Sequence, residues 1–495
     1  MTEARSAQSA LSRGWEFLRD APLRVALLSA ALLLPCFWHG HIEAGDLGSH
    51  VYNAWVAQLI VKGQAPGLYL AQQWNNVLFD LLLQHTANVL RFAVAEKIVV
   101  ALAVLVFFWG VFALIAAISS QPPWFLTPCL AILSYGYCFH MGFFNYYLSI
   151  GLACWSLAIF LGRLRGDKLT ALIALPIIYL AHPVGFLFAV CGMGYLTLRE
   201  VLPGYWKAAV PLIALAAVLA LRWFLMTRVQ YEVDWSKDGP FYVFNGSDQA
   251  VVYGDQYASL ARVAIVFAVI CILVDAIFRR RESRSSWKPF ALPLELYFVA
   301  FLTTALLPEN LRTAPENGWI GLLVSRLTVV SAIFGLAVLA CMKPRKWHLA
   351  GFALLACAFF VFLHEDTGFI NEMERNAEIL LWPLPYGTRV VPALGSLPGS
   401  RIEFLGHLAD RACIGHCFSV LNYEAPTKQF RVRARPGSRL ALSSFPEYEE
   451  QVSDAYVFRA EDLPLTLIYQ CDQSDLRRLC LRELAAGDTV RSAEK

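Results

Sequence analysis

Long apolar runs alternate with polar connections along the chain; runs of about 17–25 residues recur, enough to cross a hydrocarbon core of about 30 Å, and several others are shorter. The pattern predicts spans over 23–38, 97–118, 124–140, 143–162, 169–181, 183–198, 207–226, 258–278, 289–307, 319–341 and 349–363, about eleven in all. Charge settles two places where hydropathy does not. Basic clusters lie at the N-terminus (Arg13, Arg19, Arg24), in RLRGDK (163–168), in RRRESRSSWK (279–288) and in KPRKWH (343–348), and the positive-inside rule asks all of them to face the cytoplasm. Residues 76–95, with Asp80, His85 and Arg91, would invert everything downstream if they crossed, so they are expected to be interfacial or re-entrant. Residues 169–198 must then break in two at AHPVG (181–185), where Pro183 supplies the physical reason.

The expected fold class follows: an all-α polytopic membrane domain with a small C-terminal extracytoplasmic α/β or α+β domain. Residues 1–22 form a cytoplasmic tail and 23–363 the transmembrane domain, whose outer loop 39–96 carries the candidate site. Residues 364–495 form the outer domain, with short apolar stretches set between turn signals. On this reading FHMGFFNYY (139–147), AHPVG, the aromatic and acidic loop 227–257 and PENLRTAPENGW (308–319) all share the outer face. The loop 227–257 suits a carbohydrate-like ligand or serves as a packing lid.

Composition agrees with the pattern. The chain has 495 residues, 57% hydrophobic and 16% charged, against about 25% charged for soluble proteins. The basic N-terminal stretch has no small-residue cleavage site after its apolar run, which points to a retained first helix. Net charge is only +3, and the basic clusters fit membrane orientation rather than nucleic acid. Neither a Gly-rich phosphate loop nor a G-x-S-x-G nucleophile motif is present, and no internal repeat is evident. Eight cysteines lie in apolar segments. Cys413, Cys417, Cys471 and Cys480 lie in the polar tail and suit disulfides in an oxidising compartment, with three pairings open. A zinc site using Cys413, His416 and Cys417 is the alternative.

The stretch HIEAGDLGSH (41–50) places Glu43, Asp46 and His50 directly after the first span. Charges beside a membrane cluster where an aqueous cavity exists, and Gly45 and Gly48 favour a turn that aims Asp46 inward. Asp46 is then a general base for a hydroxyl acceptor, with His50 tuning it or binding phosphate; the other reading makes Asp46 or Ser49 a helix cap. Arg326 sits inside an apolar run, where a phosphate contact or snorkelling to the headgroups would account for it. Arg312 is a second cation for the same role. His140, Asn145 and Tyr146 occupy a tight outer turn, and His182 precedes Pro183; each could bind sugar or phosphate, or satisfy broken backbone.

A first span, an outer loop opening with acidic residues, interfacial helices, further spans and an outer C-terminal domain together resemble the GT-C glycosyltransferases, which include protein O-mannosyltransferases and lipid A aminoarabinose transferases. The motif that carries the resemblance is EAGDLGSH (43–50). It implies transfer of a sugar from a polyprenyl-phosphate donor to an extracytoplasmic glycan, lipid or protein, with Asp46 as the catalytic carboxylate. It also implies an integral protein of the bacterial inner membrane with a periplasmic C-terminal domain. Many relatives carry two adjacent acidic residues where this chain has Glu43 three positions from Asp46, so a divalent metal stays an open question. A transporter or flippase and a non-catalytic envelope assembly protein are the competing expectations.

Overall fold

The computed structural model describes residues 16–162, 165–228, 232–234, 245–281, 287–312, 314, 320–395, 399–402, 405–453, 455–472 and 474–490. Parts of the N-terminal tail, of the basic segments 163–168 and 279–288, and of the loops 227–257 and 308–319 lie outside these residues. The chain is mostly helical. Among the described residues seven helices are long and apolar enough to cross a membrane: Phe92–Ser119, Pro183–Val201, Gly204–Arg228, Asp255–Arg279, Lys288–Leu306, Leu323–Ala340 and Lys346–Leu381. Shorter apolar helices cover Pro22–Cys36 and Phe144–Phe160.

Their burial sorts them into layers. In their most apolar 18-residue stretches, Phe92–Ser119 and Leu323–Ala340 have 78% and 67% of residues buried and pack at the centre, whereas Gly204–Arg228 and Asp255–Arg279 have 6% and 17%. The outer helices therefore present Leu212, Trp223, Val263 and Val266 outward. An apolar face of that extent is compatible with an α-helical membrane domain whose flank is covered by lipid.

The remaining expected spans are carried by shorter pieces. Residues 124–140 divide into a 3-10 turn and the helices Thr127–Ser134 and Tyr137–His140, and 169–181 into Arg165–Ile173 and Leu175–Ala181. At AHPVG the helix stops at Ala181, His182 is extended, and a new helix starts on Pro183, whose missing N–H is no loss there. Residues 76–95 contain the ten-residue helix Leu78–Ala87, too short to cross.

The last long helix, Lys346–Leu381, has 36 residues and spans about 54 Å, roughly 24 Å more than a hydrocarbon core. It passes residue 364 without a break and ends beside a four-stranded sheet. That sheet comprises β4 (Thr388–Ala393), β5 (Cys417–Ser419), β7 (Thr466–Gln470) and β8 (Leu479–Glu483) in the order β5-β4-β7-β8. β4 runs parallel to β5 and β7, and β8 closes the edge antiparallel. Val391, Leu442, Phe458 and Leu467 fill a small separate core on it.

The loop 39–96 and the C-terminal tail are interlocked. β1 (Leu68–Leu70) pairs antiparallel with β6 (Val432–Ala434), more than 360 residues later in the sequence. A second short pair joins β2 (Glu232–Asp234) to β3 (Asn310–Arg312). The helix Leu47–Val61 is buried over nearly all of its surface, polar Ser49, His50 and Asn53 included. Buried polar groups need partners, and the tail supplies them.

A carboxylate and histidine centre between outer loop and tail

Asp46 occupies the N-cap position of the helix Leu47–Val61, yet its side chain makes no capping bond. The carboxylate is 24% exposed and lies 3.6 Å from His407 Nε2. Its backbone is pinned by the turn that follows His140: Gly45 N–H donates to the His140 carbonyl and Asp46 N–H to that of Met141. The approach requires Gly142, at φ +81°, because any side chain there would run into the Asp46 backbone. Gly48 plays the same part on the other side, where a side chain would meet the His407 carbonyl.

One turn along the helix, His50 is 4% exposed and places Nδ1 2.6 Å from Asp80 Oδ1 and 3.8 Å from Glu424 Oε1. Asp80 is held from behind by Asn145, whose Nδ2 donates to Asp80 Oδ2 at 2.7 Å while its Oδ1 accepts from Phe79 N–H. Glu424 accepts from the Ser49 hydroxyl. Asn422 donates to Ser49 Oγ and to Asp410 Oδ2, and Asp410 accepts from His407 Nδ1 at 2.8 Å. Two histidine–carboxylate pairs thus flank Asp46, tied together by amides.

The electrostatics follow from burial and crowding. Burial alone would lower the His50 pKa, but the charge and hydrogen bond of Asp80, with Glu424 and Asp46 beyond, outweigh it and push it up to about 9. For His407 burial likewise opposes, and Asp410 followed by Asp46 holds it above the ordinary value. Burial and the Asp80 charge raise the Glu424 carboxyl to about 8, although His50 pulls the other way. Near neutral pH the centre therefore holds a protonated His50 imidazole beside a carboxyl poised to exchange its proton. One ligand atom each from His50, Asp80 and Glu424 lies within 4.8 Å of the others. With His50 neutral, that imidazole and two carboxylates make a donor set suited to zinc or manganese, at the cost of the short His50–Asp80 bond.

The other residues expected at the site divide between several places. Arg326 stacks its guanidinium 4.0 Å from the Phe143 ring, and its Nε has no hydrogen-bond partner. Phe143 belongs to the turn that pins Asp46, so that turn links the two residues. Tyr146 O–H donates to the Arg326 carbonyl at 2.7 Å and its ring meets that of His182. His182 Nδ1 accepts from Val184 N–H and caps the helix beginning at Pro183. His140 is buried with Nδ1 2.8 Å from the Glu43 carbonyl and 2.9 Å from the Tyr253 hydroxyl, leaving Nε2 without a partner.

Glu43 and Arg312 lie apart from this group. The Glu43 carboxylate accepts from Asn371 at 2.6 Å within a buried network of Glu96, Glu374 and Arg411. Arg411 donates to Glu374 at 2.7 Å and to the Ile42 carbonyl. Arg411 and Glu96 line a cavity of about 560 Å³ walled by Val51, Phe92, Ile379, Trp382 and Ile414. Arg312 is 6% exposed, paired with Glu449 at 2.8 Å and stacked over Phe445. In the tail, Cys413 is bonded to Cys417 and Cys471 to Cys480, so His416 sits beside a disulfide rather than two thiolates.

Four residues of the centre escaped the reading of the sequence as site residues: Asp80, His407, Asp410 and Glu424. Asp80 is polar in an apolar stretch, and HLAD (407–410) has the three-residue spacing that lets the histidine meet the carboxylate. Nothing local marks Glu424 or Asn422. Compared with known proteins, the chain matches no family model, no curated protein and no solved structure.

Proposed function

We propose that the chain is a membrane glycosyltransferase that moves a sugar from a polyprenyl-phosphate donor to an extracytoplasmic acceptor, with Asp46 as the general base. The orientation puts the N-terminus inside and the centre outside, with about eleven membrane crossings counting the shorter helices. The observation that carries the reading is the state of Asp46: a partly exposed carboxylate, bonded to nothing in its own helix, flanked by His407 and the His50–Asp80–Glu424 group. Two chemical demands are met on the 140–143 turn, which touches Asp46 through Gly142 and Arg326 through Phe143. A hydroxyl acceptor gives its proton to Asp46 as the sugar carbon is attacked, while the departing lipid phosphate needs a cation. Arg326, with one unpartnered N–H and joined to Asp46 through the 140–143 turn, supplies that cation. A single displacement inverts the anomeric centre. The divalent metal that His50, Asp80 and Glu424 could hold would supply Lewis-acid stabilisation of the phosphate.

The test is to incubate the purified protein with radiolabelled polyprenyl-phosphate sugars and to measure retention and transfer to an extracted envelope acceptor. Retention of at least one donor, lost on Arg326→Ala, is expected. Failure of every polyprenyl-phosphate sugar to bind would sink the proposal.

A further inference from the structure

β6 and the residue on each side of it read RVRAR over 431–435, and the alternation divides the ribbon formed with β1 into two faces. Leu68 opposes Ala434 and Leu70 opposes Val432 on the inner face, where Leu68, Val432 and Ala434 are buried. The outer face carries Arg431, Arg433 and Arg435 at about 7 Å intervals, with Tyr69 opposite Arg433. Arg431 and Arg433 are half-buried and Arg435 is exposed.

None of the three has a carboxylate partner among the described residues. Arg431 donates to Gln84 Oε1, Arg433 to Gln73 Oε1 and the Phe430 carbonyl, and Arg435 lies over the Tyr69 ring. Elsewhere Arg279, Arg312, Arg401 and Arg411 are all paired with acids. The guanidiniums of the row are held in place by neutral groups rather than by ion pairs, the state of a surface built to meet anions.

The row also stands next to the membrane face. Gln73, which binds Arg433, donates to Asn75, and Asn75 donates to the Tyr179 hydroxyl. Tyr179 and Leu180, whose carbonyl accepts from Val77 N–H, lie at the outer end of the apolar helix Leu175–Ala181. Between Gln73 and Asn75, Trp74 is 73% exposed, as an indole anchored in the interfacial layer would be. An anion reaching the row from this side belongs to the headgroup layer.

We propose that Arg431, Arg433 and Arg435 form a docking site for phosphate-bearing lipid headgroups at the outer membrane surface. The site goes beyond the transfer reaction and needs only the outward orientation of the tail. At its inner end Arg431 lines a cavity of about 20 Å³ together with Asp80 and Glu424, which sets the row beside the carboxylate centre.

The test measures binding of dihexanoyl phosphatidic acid to the purified full-length protein in neutral detergent, with dihexanoyl phosphatidylcholine and inorganic phosphate in parallel. Phosphatidic acid is expected to bind, and the triple variant R431Q/R433Q/R435Q to bind it about 10²-fold more weakly, near fivefold per arginine. Arg435→Gln alone, whose side chain makes only the ring contact, should lose about fivefold and serves if the triple variant does not fold. The variant Arg326→Ala, which removes the cation proposed for the donor phosphate, should bind phosphatidic acid like the wild type; a loss equal to that of the triple variant would place the lipid at the donor site and overturn the proposal. Equal binding to wild type and triple variant, or no binding at all, overturns the proposal. Binding of inorganic phosphate as tightly as phosphatidic acid also overturns it, because the site is then one for free anions.

Discussion

Replacing Arg411 with Met should cost more stability than any other single change near the site, and by an amount that depends on pH. Arg411 is 7% exposed and is the cation among buried Glu43, Glu96 and Glu374, donating to Glu374 at 2.7 Å. Removing one partner of a buried ion pair costs about 3–5 kcal/mol, because the other charge is left uncompensated. With a melting entropy of about 2.1 cal/mol/K per residue, the 495-residue chain loses about 1 °C per kcal/mol, so the melting temperature should fall by about 3–5 °C. The Glu43 carboxyl is already held well above its ordinary value, by burial first and then by the Glu374 charge, with Arg411 pulling it down. A carboxyl raised on folding binds its proton more tightly in the folded chain, so its contribution is complete below the unfolded value and declines as pH rises through the folded one. Without Arg411 that decline steepens. Thermal melts of the purified wild type and Arg411→Met at pH 5 and pH 8 should show a small deficit in acid and the full one at pH 8. A deficit equal at both pH values, or under 1 °C at pH 8, would refute the reasoning.

Three further outcomes are expected. Asp46→Asn should lower transfer by about 10²–10⁴-fold while leaving the melting curve unchanged, because the carboxylate caps nothing; full activity would remove its role as base. Arg326→Ala should weaken donor binding more than it slows turnover of bound donor, since the phosphate charge exists before the transition state; an unchanged donor affinity in an equilibrium binding assay would exclude the contact. Labelling the denatured, unreduced protein with a maleimide should modify eight of the twelve cysteines, and reduction should expose the other four; twelve labelled thiols without reduction would remove the oxidising outer location.

Elements with a local cause are legible in the residues alone. Apolar runs of membrane-crossing length placed the long helices, and Pro183 marked the break that the chain makes at His182. EAGDLGSH singled out Asp46 because a charge beside an apolar run is costly wherever it sits. Which charges meet depends on how distant segments pack. Glu43 and Asp46 are three residues apart, but the backbone turns between them, sending one carboxylate to Arg411 and Asn371 and leaving the other beside His407. His50 meets Glu424 across 374 positions because β1 and β6 zip the loop 39–96 to the tail. Strand pairing of that kind depends on edges brought together by the whole fold, and no local spacing encodes it. Arg312 shows the same limit from the other side, since its partner Glu449 lies 137 residues further along the chain. Periodicity reports the environment a segment needs, while a site built from distant segments depends on packing that periodicity does not carry.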